Sequence, residues 1–307
     1  MIATKKLNRQ TFDNIVDALQ QQTYPPSKII FMANEQQFAA VMPHNVEIYL
    51  NEGGKSNALN NALNLIKTTH IALIDDDCIP DASWLESLKD EYDKEENNNV
   101  ASIGGPNYGS LSDNFNGRLI DVTIGAKFVN GGFRYGNTYD NIIGVQHNPG
   151  CNASYNMDII HGRHDLTFDT DINIAEDVVF DYQLRKLHYT ILFTPKAFVW
   201  HKRRSTIFGF FKQIYGYGKG RAIVNKKYPE LKNNIVYAPW VILTWPLLFF
   251  MPLWMAAGLI LTYFGLCLYG TLNTSMIHHT LTEKVCAMFL VPVAHIAWGL
   301  GYLRGII

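Results

Sequence analysis

Three consecutive carboxylates, Asp75-Asp76-Asp77, directly follow the apolar run from Ile71 to Ile74. Four apolar residues in a row are typical of a strand that is buried on both faces. In an α/β sheet, ligands bind in the crevice beyond the carboxyl ends of the strands. Carboxylate oxygens at that position suit Mg²⁺ or Mn²⁺ bound to the phosphates of a nucleotide. The run therefore predicts a divalent-metal site, with a solvated turn or a helix cap as the plain alternative.

Other polar residues have types and positions that would complete a nucleotide site. A Gly-Gly-Lys run ends at Lys55, just before a helical pattern. Backbone N–H groups, the helix dipole and the Lys55 ammonium together suit a pyrophosphate. The spacing is not that of a P-loop, and a plain turn is the alternative. Further along, a turn of small residues from Asn148 to Tyr155 would let a substrate approach the backbone closely.

Two more positions carry groups suited to proton transfer or metal binding. Glu176 and Asp177 stand at the start of a helical pattern. Acids are favoured there by the helix dipole, so a helix cap is one interpretation. The other is a general base, with Asp177 taking a proton from an acceptor hydroxyl. His201 follows a short strand on the side where ligands bind, and is either a metal ligand or a structural histidine.

Alternating helical and strand patterns must position these residues. The apolar residues of the first helix recur at helical spacing, and Pro25-Pro26 follow its end. Repeated alternation of helices and strands implies a mostly parallel sheet flanked by helices, an α/β fold. The predicted helices are Thr11 to Gln22, Asn57 to Ile66 and one from Glu176; the predicted strands are Lys28 to Met32, Val46 to Leu50, Ile71 to Ile74, Thr190 to Phe193 and Ala197 to Trp200.

The C-terminal part has the composition of a membrane segment. No charged side chain occurs between Lys232 and Glu283. About 20 apolar residues span a bilayer. We expect an interfacial lead-in from Trp240 to Pro246, followed by two transmembrane helices over residues 247–269 and 285–303. Two buried core helices of a soluble protein are the alternative.

A basic stretch from Lys196 to Lys232 precedes these spans. The positive-inside rule places this stretch and the N-terminal domain in the cytoplasm, which predicts a multi-pass protein of the cell inner membrane. Within it, residues 205–228 mix aromatic and basic side chains, as in an amphipathic helix lying on membrane lipids; a core helix is the alternative. The predicted domains are a catalytic domain over residues 1–204, an interfacial segment over 205–236 and a membrane domain over 237–307.

Composition adds little about partners. The chain has 307 residues and a net charge of −1, and no nucleic-acid partner is expected. The four cysteines show no spacing typical of a zinc site, and a cytoplasmic location favours free thiols.

Five sequence motifs stand in a recognisable order: Gly-Lys-Ser-Asn-Ala-Leu-Asn-Asn-Ala-Leu, Ile-Asp-Asp-Asp, Gly-Cys-Asn-Ala-Ser-Tyr, Ala-Glu-Asp-Val-Val-Phe-Asp-Tyr-Gln-Leu-Arg and Trp-His-Lys-Arg-Arg-Ser-Thr. In this order the chain from Ile2 to Arg221 resembles family 2 glycosyltransferases, and its tail is similar to that of their membrane-anchored members. The resemblance implies a GT-A fold, a Rossmann-like mixed sheet flanked by helices. It also implies a nucleotide-sugar donor, a divalent metal (Mn²⁺ or Mg²⁺), and displacement with inversion at the anomeric carbon.

The resemblance also implies roles for individual residues. Asp177 matches the catalytic base, with Glu176 beside it. The metal ligands would be Asp77 and His201. The residues implied to contact the donor are Thr4, Asn34, Lys55, Asn57, Asp75 and Asp76. Those implied to lie on the acceptor side are Gly150, Asn152 and Ala153. A membrane location would make the acceptor lipid-linked or a glycan.

Two features depart from the family pattern. The family opens with a full apolar strand, whereas Met1 to Lys5 holds only its last residues, so we expect a truncated first strand. The strand Lys28 to Met32 lacks the Asp that usually follows and binds the base, for which Asn34 or Glu35 would substitute. These departures leave a rival interpretation, an inactive glycosyltransferase-like membrane scaffold. A nucleotidyltransferase would be expected to carry a Gly-rich basic N-terminal loop, which the sequence lacks.

Overall fold

The computed structural model describes residues 1–36, 42–94, 98–126, 141–163, 166–274 and 279–307. The chain divides into two compact units. The first comprises Met1–Asn107 and Tyr139–His201, and the second comprises Tyr108–Thr138 and Lys202–Ile307. Residues 108–126, placed by the sequence analysis within the catalytic domain, therefore group with the C-terminal helices.

Strands and helices alternate along the first unit. Its helices are α1 (Arg9–Gln20), α2 (Lys55–Leu65), α3 (Trp84–Tyr92), α5 (Met157–His161) and α6 (Glu176–Lys186). Its strands are β1 (Ile2–Leu7), β2 (Ile29–Gln36), β3 (Val46–Leu50), β4 (His70–Asp75), β5 (Cys78–Pro80), β6 (Val100–Gly104), β8 (Ile143–Gly144), β9 (Asn152–Asn156), β10 (Thr190–Phe193) and β11 (Val199–His201). Strand β7 (Asn107–Gly109) begins at Asn107, where the chain passes from the first unit to the second.

The central sheet has eight strands in the order β3-β2-β1-β4-β9-β6-β10-β8. Strands β3, β2, β1 and β4 are parallel to one another. Strand β9 is antiparallel to both β4 and β6, which makes the sheet mixed. Because β9 runs opposite to β4, its first residue, Asn152, pairs with Ile74 near the end of β4. The loop before β9 and the acidic loop after β4 therefore lie at the same edge of the sheet.

The first strand extends to Leu7, two residues beyond the Lys5 at which the sequence pattern ended. Residues Ile2–Leu7 form β1 between β2 and β4, with Ile2 opposite Phe31 on one side and Ile74 on the other. Helix α1 packs on this part of the sheet through the apolar positions predicted from its helical spacing, and the Phe12 and Phe31 ring centroids are 5.3 Å apart. Asn8 caps α1 by accepting a hydrogen bond from the Thr11 N–H, which places the helix start before the predicted residue.

The second unit is helical. It contains α4 (Phe115–Gly125), α7 (Ile207–Lys227), α8 (Leu253–Leu272), α9 (Leu281–Ala287) and α10 (Leu290–Ile306), with 3₁₀ helices over Pro229–Leu231 and Asn234–Phe250. Two stretches, Leu253–Leu272 and Leu281–Ile306, are long and apolar enough to cross a membrane. The predicted lead-in from Trp240 to Pro246 lies within the second 3₁₀ helix.

Helices α7 and α10 approach each other closely through glycines. A Cβ added at Gly218 would lie 2.3 Å from the Trp298 carbonyl oxygen, and one at Gly301 would lie 2.0 Å from the Tyr215 carbonyl oxygen. Side chains at these positions would separate the two backbones. The buried face of α7, which includes Phe210 and Ile214, therefore packs within the second unit.

A buried charge cluster ties three segments of the second unit together. The Asp121 carboxylate accepts a hydrogen bond from Arg203 at 2.6 Å and lies 3.0 Å from His279 Nε2. The Arg203 backbone N–H also donates to Asp113, at 3.2 Å. Burial alone would raise the pKa of Asp121, but the Arg203 charge and the hydrogen bonds from His279 and Arg203 outweigh it and hold that pKa at about 2.

We expect Asp121→Asn to lower the unfolding free energy by about 3–5 kcal/mol, because it removes the carboxylate charge that pairs with the buried Arg203 guanidinium. The measurement is denaturant unfolding of the detergent-solubilised protein at pH 7. Lys212→Ala, which removes an exposed cation stacked on Phe208 in the same unit, should cost no more than about 1 kcal/mol. An Asp121→Asn protein as stable as the Lys212→Ala protein would show that the cluster contributes little.

Candidate active site

The acidic loop begins at the end of β4. Asp75 is the last residue of the strand, and Asp76 and Asp77 form the turn into β5. The buried Thr4 hydroxyl, on the neighbouring strand β1, donates a short hydrogen bond to the Asp76 carboxylate. This hydrogen bond from β1 fixes Asp76 within the acidic loop. It also places Thr4, predicted to contact the nucleotide-sugar donor, next to that acid.

Lys55 lies between two of the predicted acids. Its Nζ is 2.9 Å from Asp75 Oδ1 and 3.2 Å from Glu176 Oε1. Burial lowers the Lys55 pKa, but the charges of Asp75 and Glu176 outweigh it, so the net shift is upward and the side chain stays charged. Burial raises the pKa of Asp75 to about 6 against the opposing effect of Lys55. This triad joins the start of α2, the end of β4 and the start of α6.

The loop before α2 contains two glycines, Gly53 and Gly54. Gly53 has a φ of 107°, a conformation that side chains rarely adopt. A Cβ at Gly54 would lie 1.7 Å from Asn173 Oδ1, so a side chain there would have to displace the exposed Asn173 side chain. Asn34, predicted to lie near the donor base, donates from Nδ2 to the Gly53 carbonyl at 3.0 Å. Asn57 is also adjacent, since a Cβ at Gly53 would meet its Nδ2 at 2.3 Å.

Asp177 is held at the start of α6 by backbone donors. Its Oδ2 accepts a hydrogen bond from the Gly150 N–H at 2.7 Å, and its Oδ1 accepts one from the Val178 N–H at 2.8 Å. Burial raises the pKa of Asp177, although Lys55 and the two N–H donors act in the opposite direction. Ala175, the residue just before the helix, has a φ of 67°, which costs free energy for a residue with a Cβ. A strained turn therefore presents a carboxylate of raised pKa beside Gly150.

The remaining acceptor-side residues are buried. The Asn152 side chain donates to the Pro106 and Ala197 carbonyls at 2.9 and 2.7 Å and accepts from Trp84 Nε1 at 2.8 Å. Ala153 is fully buried in β9. In this structure Asn152 anchors the loop that carries Gly150, and contact of Asn152 or Ala153 with an acceptor stays a prediction.

A second buried residue supports the same loop and was not predicted from the sequence. The Asp181 Oδ2 accepts a hydrogen bond from the Asn148 N–H at 2.7 Å. The Asn148 side chain in turn donates to Ser102 Oγ at 2.9 Å and to the Leu192 carbonyl at 3.0 Å. Burial raises the pKa of Asp181 to about 8, against the Asn148 N–H and reinforced by the charge of Asp177.

Asp77 and His201, the two predicted metal ligands, lie next to each other. The His201 Nε2 lies 3.1 Å from Asp77 Oδ1. A carboxylate and an imidazole at this separation are a donor set that Mn²⁺ accepts, so the residues fit the predicted ion. Cys78 and Cys151 lie close to each other and to His201. The separation of the two cysteines along the chain gave no sign of this contact.

Known proteins were compared with the chain by sequence family and by structure, and both comparisons agree with the fold described above. Residues 4–162, slightly more than half of the chain, match the family model described as "Glycosyl transferase family 2". No curated protein sequence matched the chain. Among solved structures, the mannosyltransferase PcManGT from Pyrobaculum calidifontis, in complex with GDP-Man and Mn²⁺, is 12% identical with a TM-score of 0.61, over 97% of this chain and 85% of that one. TarS from S. aureus is 12% identical with a TM-score of 0.43, over 73% of this chain and 39% of that one. The mannosyltransferase similarity therefore shows a GT-A fold.

We expect Asp181→Asn to flatten the dependence of stability on pH. With a folded pKa of about 8, the native state keeps a proton that the unfolded chain releases above its own pKa of about 4. The unfolding free energy should therefore fall by up to about 1.4 kcal/mol per pH unit between these values through this group alone, and the Asn variant removes that contribution.

The measurement is denaturant unfolding between pH 5 and pH 9, compared with Asp158→Asn, which alters an exposed acid of the same unit. Parallel pH profiles for all three proteins would contradict a proton held on Asp181.

Proposed function

Because the chain belongs to glycosyl transferase family 2, we propose that it transfers a hexosyl group from a nucleotide-sugar donor to an acceptor hydroxyl, with inversion at the anomeric carbon. The main support for the proposal is the triad of Lys55, Asp75 and Glu176. It links a cation suited to the donor diphosphate, through Glu176, to the helix start that presents Asp177. The groups needed at the leaving and attacking sides of the reaction thus belong to one connected arrangement.

On the donor side, the start of α2 with its two glycines offers backbone N–H groups and a helix dipole to a diphosphate, and Lys55 adds a positive charge. Asp77 and His201 would hold a divalent ion, whose charge would stabilise the leaving diphosphate. The mannosyltransferase of similar fold was solved with GDP-Man and Mn²⁺. Thr4 and Asn34 would lie toward the nucleoside.

On the acceptor side, Asp177 would accept the proton of the attacking hydroxyl. Its raised pKa makes it a stronger base than an ordinary carboxylate, and the Gly150 N–H fixes its orientation. The hydroxyl oxygen would attack the anomeric carbon on the face opposite to the diphosphate, which inverts the configuration. Positive character that develops on the sugar ring would be stabilised by the nearby acids, Glu176 among them.

The composition and exposure of the second unit support a further proposal, a membrane-bound acceptor. In the apolar stretch around α8, large side chains face outward, with exposed fractions of 88% for Phe250, 85% for Leu253 and 75% for Trp254. A core helix of a soluble protein would bury such residues, whereas a lipid environment would cover them. We infer a multi-pass inner-membrane protein with its catalytic unit on the cytoplasmic side, where the basic stretch Lys196 to Lys232 contacts membrane lipids. A lipid-linked or glycan acceptor fits this location.

Asp177→Asn should lower turnover by about 10²–10⁴-fold while leaving donor affinity close to that of the unaltered protein, because the variant keeps the size of the side chain but cannot take the proton. The measurement is sugar transfer by the full-length protein in membranes, with donor binding measured in parallel. Asp158→Asn, an exposed acid of the same unit, is the control. Undiminished turnover of Asp177→Asn would refute its role as the base.

The full chain should remain in the membrane pellet after an alkaline carbonate wash, since α8 and the stretch Leu281–Ile306 would be inserted in lipid rather than attached by charge. The same wash should release a peripheral protein held by basic residues alone. Quantitative recovery of the chain in the wash supernatant would contradict the membrane assignment and leave the transferase proposal intact.

A further inference from the structure

Three metal-ligating side chains meet beside the candidate active site. The Cys78 and Cys151 sulfurs and a ring nitrogen of His201 all lie within 4.8 Å of one another, and all three residues are buried. Asp77 Oδ1 is close to the same group, 3.1 Å from His201 Nε2 and 3.9 Å from Cys78 Sγ. The two thiols have no part in the proposed transfer reaction.

The sheet topology holds these residues together. Cys78 and His201 are directly paired residues on the antiparallel strands β5 and β11, so their side chains lie on the same face. Cys151 immediately precedes Asn152, whose pairing with Ile74 sets it at the end of β4. Strand pairing therefore fixes Cys78 and His201 directly and Cys151 through its neighbour Asn152, so a ligand would meet three side chains that are already close together.

The donor set differs from that of a magnesium or manganese site. Hard cations such as Mg²⁺ prefer oxygen ligands, whereas thiolates select Zn²⁺ and similar soft or borderline ions. Two cysteines, a histidine and a carboxylate are a ligand set that tetrahedral Zn²⁺ accepts. We propose that Cys78, Cys151 and His201, with Asp77 as the fourth ligand, bind a thiophilic divalent cation such as Zn²⁺.

Binding would convert both thiols to thiolates and release their two protons to solvent. The bound ion would occupy Asp77 and His201, the same side chains that would hold Mn²⁺ or Mg²⁺ for sugar transfer. The two kinds of ion would therefore exclude each other, and Zn²⁺ would inhibit the enzyme. This consequence rests on the proposed function, whereas the binding itself does not.

Cd²⁺ is the probe for the first experiment, because thiolate ligation gives it a near-ultraviolet charge-transfer band. Titration of the tag-free, reduced, full-length protein should saturate this band at one equivalent. Cys78→Ser and Cys151→Ser should each weaken the band, and the double substitution should abolish it. Cys286→Ser, which alters a partly exposed cysteine of the second unit, should leave the band unchanged. A band that persists in the double variant, or none in the unaltered protein, would overturn the proposal.

A second measurement needs no substitution and so does not depend on the folding of the variants. X-ray absorption at the zinc edge of the protein with one equivalent of Zn²⁺ should show two sulfur neighbours at about 2.3 Å. Nitrogen and oxygen neighbours alone, at about 2.0–2.1 Å, would exclude the thiolate site. Neither experiment uses donor or acceptor. Release of nucleoside diphosphate with Mn²⁺, measured on zinc-free protein, tests the transferase separately.

Discussion

The contact of Lys55 with Asp75 and Glu176 is the interaction on which the rest of the site depends. It places a charged ammonium between two carboxylates of low exposure, on three different elements of the first unit. An unpaired charge at any of these positions would be costly, so each of the three groups requires the others. The same contact aligns the starts of α2 and α6 with the end of β4, which brings the glycine loop, the acidic loop and Asp177 to one edge of the sheet.

Much of this edge was predictable because local patterns specify it. The strands Val46–Leu50 and Thr190–Phe193 were predicted with the bounds that the structure shows, and Glu176 and Asp177 lie in the first turn of a helix, as predicted. The acids of the β4 loop were identified because carboxyl ends of parallel strands gather ligands. These inferences need only the spacing of apolar residues along the chain and the polar residues at the ends of the predicted strands and helices.

The remainder was not predictable because tertiary pairing creates it. The sequence of β9 is mostly small and polar residues, which is typical of a turn. In the structure, however, β9 lies between β4 and β6, with Ala153 and Ser154 buried. Its position gives Asn152 a structural role and brings Cys151 to Cys78. The buried partners of Asp121 likewise come from Arg203 and His279, far apart in the chain. Sequence spacing carries no information about contacts that a cross-strand register or helix packing sets.

We propose that the acidic loop and the Lys55 triad form the donor site of a metal-dependent glycosyltransferase. The most direct measurement is release of nucleoside diphosphate from a panel of nucleotide sugars by the full-length protein in membranes, with Mn²⁺, with Mg²⁺ and with a chelator. We expect release from one class of donor, and this release should stop when the metal is removed. No release from any donor with either metal would contradict it and favour an inactive glycosyltransferase-like scaffold.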